Sequence, residues 1–367
     1  PREKVEEKTV AKQEVPESAR AIEHYLRARL SELSGNYQQA TYEMRKALLY
    51  DSSCLLHTEL GRYYAMQGMW KRAVEQADRA LDACGEFVPA LLLKGMLLVS
   101  GNERQKAVEY FSRAVERDPK NIEAAIRLAQ VYLDLGKKDA ARKVLERMTR
   151  DNPASAEGFR RLGDLAFESG DEAAAERYYR RVLQLAPSDT RTIEVLAGLL
   201  ERQGRYREAI AVFEDALVYS PENPSYMAYM GGLYLKAGDR ESADAYFDQL
   251  RAMDPRNARL VAYEYSRLNM HKKAIAELVN LLENNPKMHS ERLLLAIILE
   301  ERKQWNKALE QLDRIPGTSR VYINALVNRG WCLLSMKRYA EAADVLEKAL
   351  EAAARDEDRG RAWRYLA

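Results

Sequence analysis

Small and large apolar residues recur along most of the chain at one fixed spacing, with polar and charged residues between them. A proline follows each of five alanines by twelve residues. The alanines are Ala107, Ala141, Ala175, Ala209 and Ala243, and the prolines are Pro119, Pro153, Pro187, Pro221 and Pro255, so both series repeat every 34 residues. Proline cannot continue a helix and disfavours helical geometry in the residue before it. The pattern therefore predicts a structural unit of 34 residues that ends at the proline.

Each unit carries further small and large residues that indicate two packed helices. With the proline as position 32, position 8 is Gly or Ala and position 24 is large and apolar. Small residues at positions 8 and 20 let two helices approach closely, and the large residue fills the space beside them. Position 15 is glycine in four of these five units (Gly136, Gly170, Gly204 and Gly238), which suits a turn. Each unit is thus predicted to be an antiparallel helix hairpin.

This pattern resembles that of the tetratricopeptide repeat (TPR) family, which has small residues at positions 8 and 20, an aromatic residue near 24 and proline near 32. The unit from Met227 to Pro255 matches at nearly every place, with Gly231, Ala243 and Phe247 at the small and aromatic positions. The resemblance implies an all-α fold, a right-handed superhelical α-solenoid of about ten tandem TPR hairpins.

The expected organisation along the chain has four parts. Residues 1–20 are a charged leader or linker, and residues 21–257 are a regular array of about seven repeats. Residues 258–359 are about three less regular repeats, and residues 360–367 are the start of a further repeat or a capping helix. Because the chain begins without an initiator Met and stops eight residues into that last unit, we expect it to be part of a longer protein.

The register of the repeat changes once, within residues 258–270. Pro286 comes three residues early, while Ala274 keeps its place twelve residues before it, so the first helix of this unit is predicted to be shortened. One interpretation is a joint that changes the superhelix and presents Tyr263 and Tyr265. The other, which we favour, is drift within a single degenerate repeat.

Charge and hydropathy limit the kinds of partner. The 367 residues include 58 basic and 56 acidic side chains, a formal net charge of +2, which gives no general attraction to nucleic acid or to an anionic membrane. No stretch approaches the length and apolarity of a transmembrane span. We therefore expect neither nucleic-acid binding nor direct membrane insertion. The sequence leaves the oligomeric state and the compartment open: we expect a soluble protein of the cytoplasm or of a bacterial cell envelope, in the latter case periplasmic and tethered through a missing N-terminus.

The three cysteines form no CxxC motif of the kind that binds metal or performs redox chemistry. Cys54 begins the predicted first helix of one unit, and Cys84 follows the second helix of the same unit. Antiparallel packing could bring these two ends together, so a disulfide is geometrically conceivable. Two isolated thiols are the interpretation that we favour.

The sequence lacks the motifs of an active site. There is no nucleophile elbow, P-loop, GxGxxG or HExxH. The four histidines lie far apart, and none has a Cys, Asp or Glu at a metal-ligand spacing that repeats or converges. Most acidic residues have Lys or Arg three or four places away, as on a solvated helix surface. We therefore predict no catalytic residue, no cofactor and no metal ion, and that the chain is not an enzyme.

Binding is the function that remains. In TPR arrays the first helix of each unit lines the concave surface with positions 2, 5, 9, 12 and 13, which the resemblance transfers to this sequence. The predicted partner-binding residues are Thr58, Arg62, Met66, Leu92, Met96, Val99, Ile126, Gln130, Leu133, Arg160, Asp164, Leu293, Ile297, Val327 and Trp331. The alternative for each is that it only packs against a neighbouring helix. Trp331 is the strongest single candidate, because an inward Trp is costly if it contacts nothing.

The sequence thus favours a non-catalytic scaffold or adaptor that binds a protein or peptide, as an amphipathic helix or an extended segment, in its concave groove. A composition rich in Arg, Ala and Glu suggests a bacterial protein, and with it an assembly factor for a secretion, pilus, motility or polysaccharide-export machine. The alternative is a recruiting or regulatory TPR segment of a larger enzyme whose catalytic domain lies outside this chain.

Overall fold

A computed structural model describes residues 17–353, and these residues form α-helices joined by short turns, with no strand among them. Residues 360–367, predicted to begin a further repeat, lie outside the described part, as do residues 1–16 of the predicted leader. The helices are α1 (Glu17–Leu33), α2 (Tyr37–Ala47), α3 (Cys54–Met66), α4 (Trp70–Cys84), α5 (Val88–Ser100), α6 (Arg104–Arg117), α7 (Ile122–Asp134), α8 (Lys138–Asp151), α9 (Ala156–Glu168), α10 (Glu172–Leu185), α11 (Thr190–Arg202), α12 (Tyr206–Leu217), α13 (Pro224–Ala237), α14 (Arg240–Met253), α15 (Ala258–Arg267), α16 (His271–Asn284), α17 (His289–Glu301), α18 (Trp305–Asp313), α19 (Tyr322–Ser335) and α20 (Tyr339–Ala353).

Odd-numbered and even-numbered helices pair into ten hairpins within the described residues, as the repeat predicts. The chain divides into two compact units, the first ending at Ala186 and the second beginning at Pro187. The first unit contains α1–α10 and the second contains α11–α20. The sequence-based boundary at residue 257 falls within the second unit and stays a prediction. Helix α1 begins at Glu17, so the last four residues assigned to the leader are helical.

Each hairpin is closed by the pair of residues at positions 8 and 24. A Cβ placed on Gly95 would lie 2.5 Å from the ring of Phe111, and one placed on Gly163 would lie 2.6 Å from the ring of Tyr179. Both rings are almost fully buried. The predicted close approach of the two helices is therefore confirmed: the aromatic ring occupies the volume that the missing side chain leaves.

The turn inside each hairpin places one residue, always at position 15, in the left-handed backbone region. Six of the ten are glycines, with φ between +71° and +86°. The other four are Asn102, Asn269, Lys303 and Lys337, with φ between +55° and +63°. The hairpin of α5 and α6, whose position 15 is not glycine, thus keeps the same register. Asn102 takes the left-handed position there, which Asn tolerates better than most residues.

The irregular unit forms a complete but short hairpin. Helix α15 has ten residues, whereas α13 and α17 on either side of it have 14 and 13. A 3₁₀ turn at Pro255–Asn257 leads into α15. Tyr265 is buried in the hydrophobic core and Tyr263 is exposed. The predicted shortening of the first helix is therefore confirmed, and only one of the two tyrosines is presented to solvent.

Cys54 and Cys84 are joined in a disulfide, so the interpretation as two isolated thiols is wrong. Cys54 is the first residue of α3 and Cys84 the last residue of α4, and the antiparallel pairing brings their Cα atoms to 5.9 Å. That separation is within the range that a disulfide spans. The bond ties together the open end of the second hairpin. Cys332 is a free, buried thiol.

Candidate functional site

Three pairs of neighbouring hairpins are in close contact through their first helices. The backbones of α3 and α5 lie side by side, as do those of α13 and α15 and those of α17 and α19. Among residues 17–353, no two consecutive second helices approach as closely. At these three places the hairpins touch at their first helices and separate at their second helices, so the first helices lie on the inner side. The surface of the first helices is therefore the candidate groove.

The fifteen predicted groove residues divide by exposure. Met66, Gln130 and Trp331 are exposed, and for Met66 and Trp331 the exposed fractions are 50% and 47%. Eight are half-buried: Arg62, Met96, Val99, Ile126, Leu133, Arg160, Asp164 and Ile297. Four are buried: Thr58, Leu92, Leu293 and Val327.

The four buried residues serve the packing of the hairpins. The Thr58 hydroxyl donates a hydrogen bond of 2.7 Å to the carbonyl of Cys54, one turn earlier in α3. Leu92 belongs to one hydrophobic cluster of the first unit, and Leu293 and Val327 belong to a cluster of the second unit. These side chains therefore offer little surface to a ligand. For them the alternative stated from the sequence, contact with a neighbouring helix, describes the structure.

Arg62 is held in an ion-pair network between α1 and α3. Its guanidinium donates to the Glu32 carboxylate at 2.5 Å and to the Glu59 carboxylate at 2.7 Å. The hydrogen bond from Arg62 holds the pKa of Glu32 below its usual value. Burial, together with the hydrogen bond to Glu32, raises the pKa of Tyr63 to about 12. Arg62 thus connects two first helices, and its charge is already compensated by the chain.

Arg160 and Asp164 are also engaged within the first unit. Arg160 forms an ion pair with Glu157 on the same helix. Asp164 accepts a hydrogen bond of 2.9 Å from the hydroxyl of Tyr179, the ring that closes this hairpin. Both side chains are therefore already engaged by other residues of the first unit.

The apolar part of the first unit's groove is more open. Met66 on α3 is half exposed, and Met96 and Val99 on α5 are partly exposed beside it. Ile126 on α7 is also partly exposed. Methionine is flexible and polarisable, so such a strip can adapt to apolar side chains of different shapes.

A buried charge cluster that the sequence did not reveal joins three first helices of the second unit. Glu201 on α11 accepts from Lys236 on α13 at 2.7 Å and from Arg267 on α15 at 2.5 Å. Tyr229 on α13 also donates to Glu201. Arg267 is shared with Glu264, at 2.6 Å, so two carboxylates and two cations are brought together.

The cluster depends on the absence of a side chain at Gly232. A Cβ at this position would collide with the carboxylate of Glu264, which is buried. Burial opposes ionisation of both acids. For Glu201, hydrogen bonds from Lys236, Tyr229 and Arg267 outweigh the effect of burial, and its pKa is lowered. For Glu264 the effect of burial is larger, and its pKa is raised.

Glu300 on α17 occupies the same repeat position as Glu201 but has no cation beside it. Both glutamates are 8% exposed. The polar contact of Glu300 is with the Cys332 thiol on α19, and its Oε1 has no hydrogen-bond partner. Burial raises the pKa of Glu300 to about 7, and burial also raises the pKa of the Cys332 thiol.

Trp331 lies next to Cys332 on α19, on the side of this helix turned away from its packed face. Ala325, Leu326 and Leu333 of α19 are buried, whereas Trp331 is close to half exposed. Leu334, one turn further along α19, is partly exposed, and Ile297 on α17 is as well. The groove of the second unit thus ends in an accessible apolar surface beside a buried acid.

The described residues contain neither a metal-binding cluster nor a helix that could span a membrane. Between Glu17 and Ala353, no three His, Cys, Asp or Glu side chains come together in a way that could hold a metal ion. In the same range, no helix has both the length and the apolarity needed to cross a membrane. The arrangement of the groove suits contact with apolar and polar groups of a ligand.

Comparisons with solved structures retrieve other repeat proteins of low identity. A tetratricopeptide repeat protein from Parabacteroides merdae is 19% identical, with a TM-score of 0.43, over 66% of this chain and 98% of that one. PilF of Pseudomonas aeruginosa is also 19% identical, with a TM-score of 0.43, over 69% of this chain and 98% of that one. YrrB, a TPR protein with an unusual peptide-binding site, is 23% identical, with a TM-score of 0.39, over 48% and 91%.

No curated protein gives a significant match to the chain. Three family models do match, each described as tetratricopeptide repeat. One matches residues 98–162 and 200–262, a second matches residues 57–122, and a third matches residues 160–189 and 323–356. Together these ranges include well over half of the chain, and they include the hairpins that carry the small and aromatic residues described above. The chain belongs to the tetratricopeptide repeat family.

Proposed function

We propose that this chain is a non-catalytic scaffold that binds a protein or peptide partner along the groove lined by its first helices. The observation that carries the proposal is the exposure of Trp331, 47%, at a predicted groove position of α19. Burial of an exposed indole by a partner would stabilise the complex. Tryptophan is also among the residues most often found as anchors of protein interfaces.

The groove favours a partner that presents apolar side chains at intervals. Met66 and Met96 offer an adaptable apolar strip in the first unit, and Trp331 with Leu334 offers a firmer one in the second. An amphipathic helix or an extended segment presents such side chains on one face. The balanced net charge of +2 supports a protein partner over a nucleic acid.

The finer role proposed is that of an assembly factor for a bacterial secretion, pilus, motility or polysaccharide-export machine. The alternative, a recruiting segment of a larger enzyme, differs in what the partner would be. The identity of the partner decides between them: a structural component of such a machine supports the first, and a substrate of an enzyme supports the second.

The experiment is affinity capture from the native lysate with the full chain, followed by measurement of the Kd with the purified partner. Trp331→Ala is compared with Tyr339→Ala, which removes an aromatic side chain that is 63% exposed on α20, a second helix. Circular dichroism checks that both variants are folded.

We expect Trp331→Ala to weaken binding by about thirtyfold or more, the usual effect of removing an interface anchor. Tyr339→Ala should bind as the parent does. If both variants bind the partner with the parent's Kd, the groove of the second unit is not the binding surface and the proposal fails.

A further inference from the structure

A cavity of about 640 Å³ lies at the edge of the first unit, outside the groove-facing positions discussed above. It is formed by the beginning of α4, the end of α5 with the turn that follows it, and the beginning of α6. Its volume is within the range of pockets that hold small ligands or side chains of a partner. It brings together two aromatic residues and three lysines: Trp70, Tyr110, Lys71, Lys94 and Lys106.

The apolar part of this cavity is accessible. Trp70, the first residue of α4, is 52% exposed, and Tyr110 on α6 is partly exposed. Leu98 on α5 is partly exposed between them. An aromatic and aliphatic wall of this kind gains free energy when an apolar side chain of another molecule covers it.

The wall of the cavity carries more positive than negative side chains. Lys106 is paired with Glu103 at 2.5 Å, and Lys94 is paired at 2.6 Å with Asp78, which is not part of the wall. Lys71 makes no ion pair or hydrogen bond with any described residue. Two of the three lysines are thus compensated by neighbouring carboxylates, and the ammonium group of Lys71 remains available to an incoming anion.

We propose that this cavity is a second docking site, which receives an acidic segment of a partner protein through one apolar side chain and a neighbouring carboxylate. The apolar side chain packs against Trp70 and Leu98, and the carboxylate pairs with Lys71. Charge complementarity selects this occupant, because the unpaired ammonium group of Lys71 attracts a carboxylate and would repel a basic segment. The site is separate from the groove, so it does not depend on the function proposed for Trp331.

The test uses three blocked peptides that differ only in charge: Ac-Glu-Leu-Leu-Glu-NH2, Ac-Gln-Leu-Leu-Gln-NH2 and Ac-Lys-Leu-Leu-Lys-NH2. Each is titrated into the full chain up to ~10 mM, the range suited to weak ligands. Binding is followed by NMR through the indole N–H resonance of Trp70, which a Trp70→Phe variant assigns. We expect the acidic peptide to shift this resonance and to bind roughly fivefold more tightly than the neutral one.

Two exposed lysines of the first unit provide the matched variants. Lys71→Gln should weaken binding of the acidic peptide roughly fivefold, and Lys120→Gln, which removes a lysine outside the cavity, should leave it unchanged. The proposal is overturned if the Trp70 resonance does not respond to the acidic peptide, if the three peptides bind equally, or if the two variants behave alike. Binding that Trp331→Ala abolishes would also overturn it, because the peptide would then occupy the groove.

Discussion

Replacing Glu300 with glutamine should change the pH dependence of stability in a direction that the structure determines. Glu300 is buried on α17 beside the Cys332 thiol, and Glu301, the next residue, adds a repelling negative charge. The ordinary pKa of a glutamate is 4.5, and burial raises the pKa of Glu300 to about 7. Between these two pH values the folded chain therefore keeps a proton that the unfolded chain has lost.

The magnitude follows from the difference between the two pKa values. Each pH unit between them is worth about 1.4 kcal/mol, so ionised Glu300 costs the folded state roughly 3 kcal/mol above pH ~7. The cost is absent below pH ~4.5, grows as the pH rises, and is constant above pH ~7. In Glu300→Gln the side chain is neutral throughout, so the cost of ionisation disappears.

The assay is urea unfolding of both proteins at pH values from ~4.5 to ~8, followed by tryptophan fluorescence. Trp305 lies in the same hairpin as Glu300, and Trp331 lies in the next hairpin, so their fluorescence reports on the surroundings of Glu300. The free energy of unfolding of Glu300→Gln minus that of the parent should increase by roughly 3 kcal/mol across this range. If burial of the glutamine side chain costs stability of its own, that cost is the same at every pH and does not change the pH dependence.

A matched control is Glu347→Gln, which neutralises an exposed glutamate on α20. Its stability relative to the parent should vary much less with pH. The reasoning is refuted if the difference between Glu300→Gln and the parent is flat across the pH range. It is also refuted if a carbon-13 titration of the Glu300 carboxyl in the folded chain gives a midpoint near 4.5.

Two further predictions concern the stability of the hairpins. Gly232→Ala should destabilise the second unit by about 2–4 kcal/mol in chemical denaturation, because the added methyl group displaces the buried Glu264 carboxylate. Gly198→Ala, at the same repeat position with open space around it, should be neutral or slightly stabilising. Equal losses of stability for the two variants would contradict this account. Reduction of the disulfide should lower the free energy of unfolding of the parent by about 3 kcal/mol. The same treatment should leave the Cys54→Ser, Cys84→Ser double variant unaffected, and an unchanged parent would show that the bond does not stabilise the fold.

The hairpins and their packing were predictable because they depend on residues close in sequence. The pairing of Gly95 with Phe111 needs only the spacing within one unit, and this spacing repeats. The disulfide between Cys54 and Cys84 could not be predicted from the sequence spacing alone. The geometry that permits it was foreseen from the antiparallel helices, but whether Cys54 and Cys84 bond depends on the relative placement of the hairpin ends, which spacing alone does not give.

Exposure along the groove follows the repeat position more closely than the sequence analysis assumed. Trp331 at position 9 and Met66 at position 13 are exposed. The four buried residues all occupy position 5: Thr58, Leu92, Leu293 and Val327. The positions transferred from the TPR family were treated as equivalent, so this difference between position 5 and positions 9 and 13 was missed.

The charge cluster of the second unit joins residues that lie far apart in the sequence. Arg267 and Glu201 are 66 residues apart, on first helices that are not consecutive, yet their side chains form an ion pair. The backbones of α13 and α15 lie close together, and Gly232 leaves the space between them that Glu264 fills. Polar side chains therefore occupy the groove surface from α11 to α15 and satisfy one another.

This arrangement restricts where a ligand can bind in the second unit. A partner that entered the groove beside Glu201 would have to break ion pairs that are already formed and partly buried, at a considerable cost. At α17 and α19 the situation is reversed, since Trp331 is exposed and Glu300 lacks a cation. A basic group of the partner placed near Glu300 would compensate its charge as Lys236 compensates that of Glu201. We therefore propose that a partner contacts the second unit at the surface formed by α17 and α19.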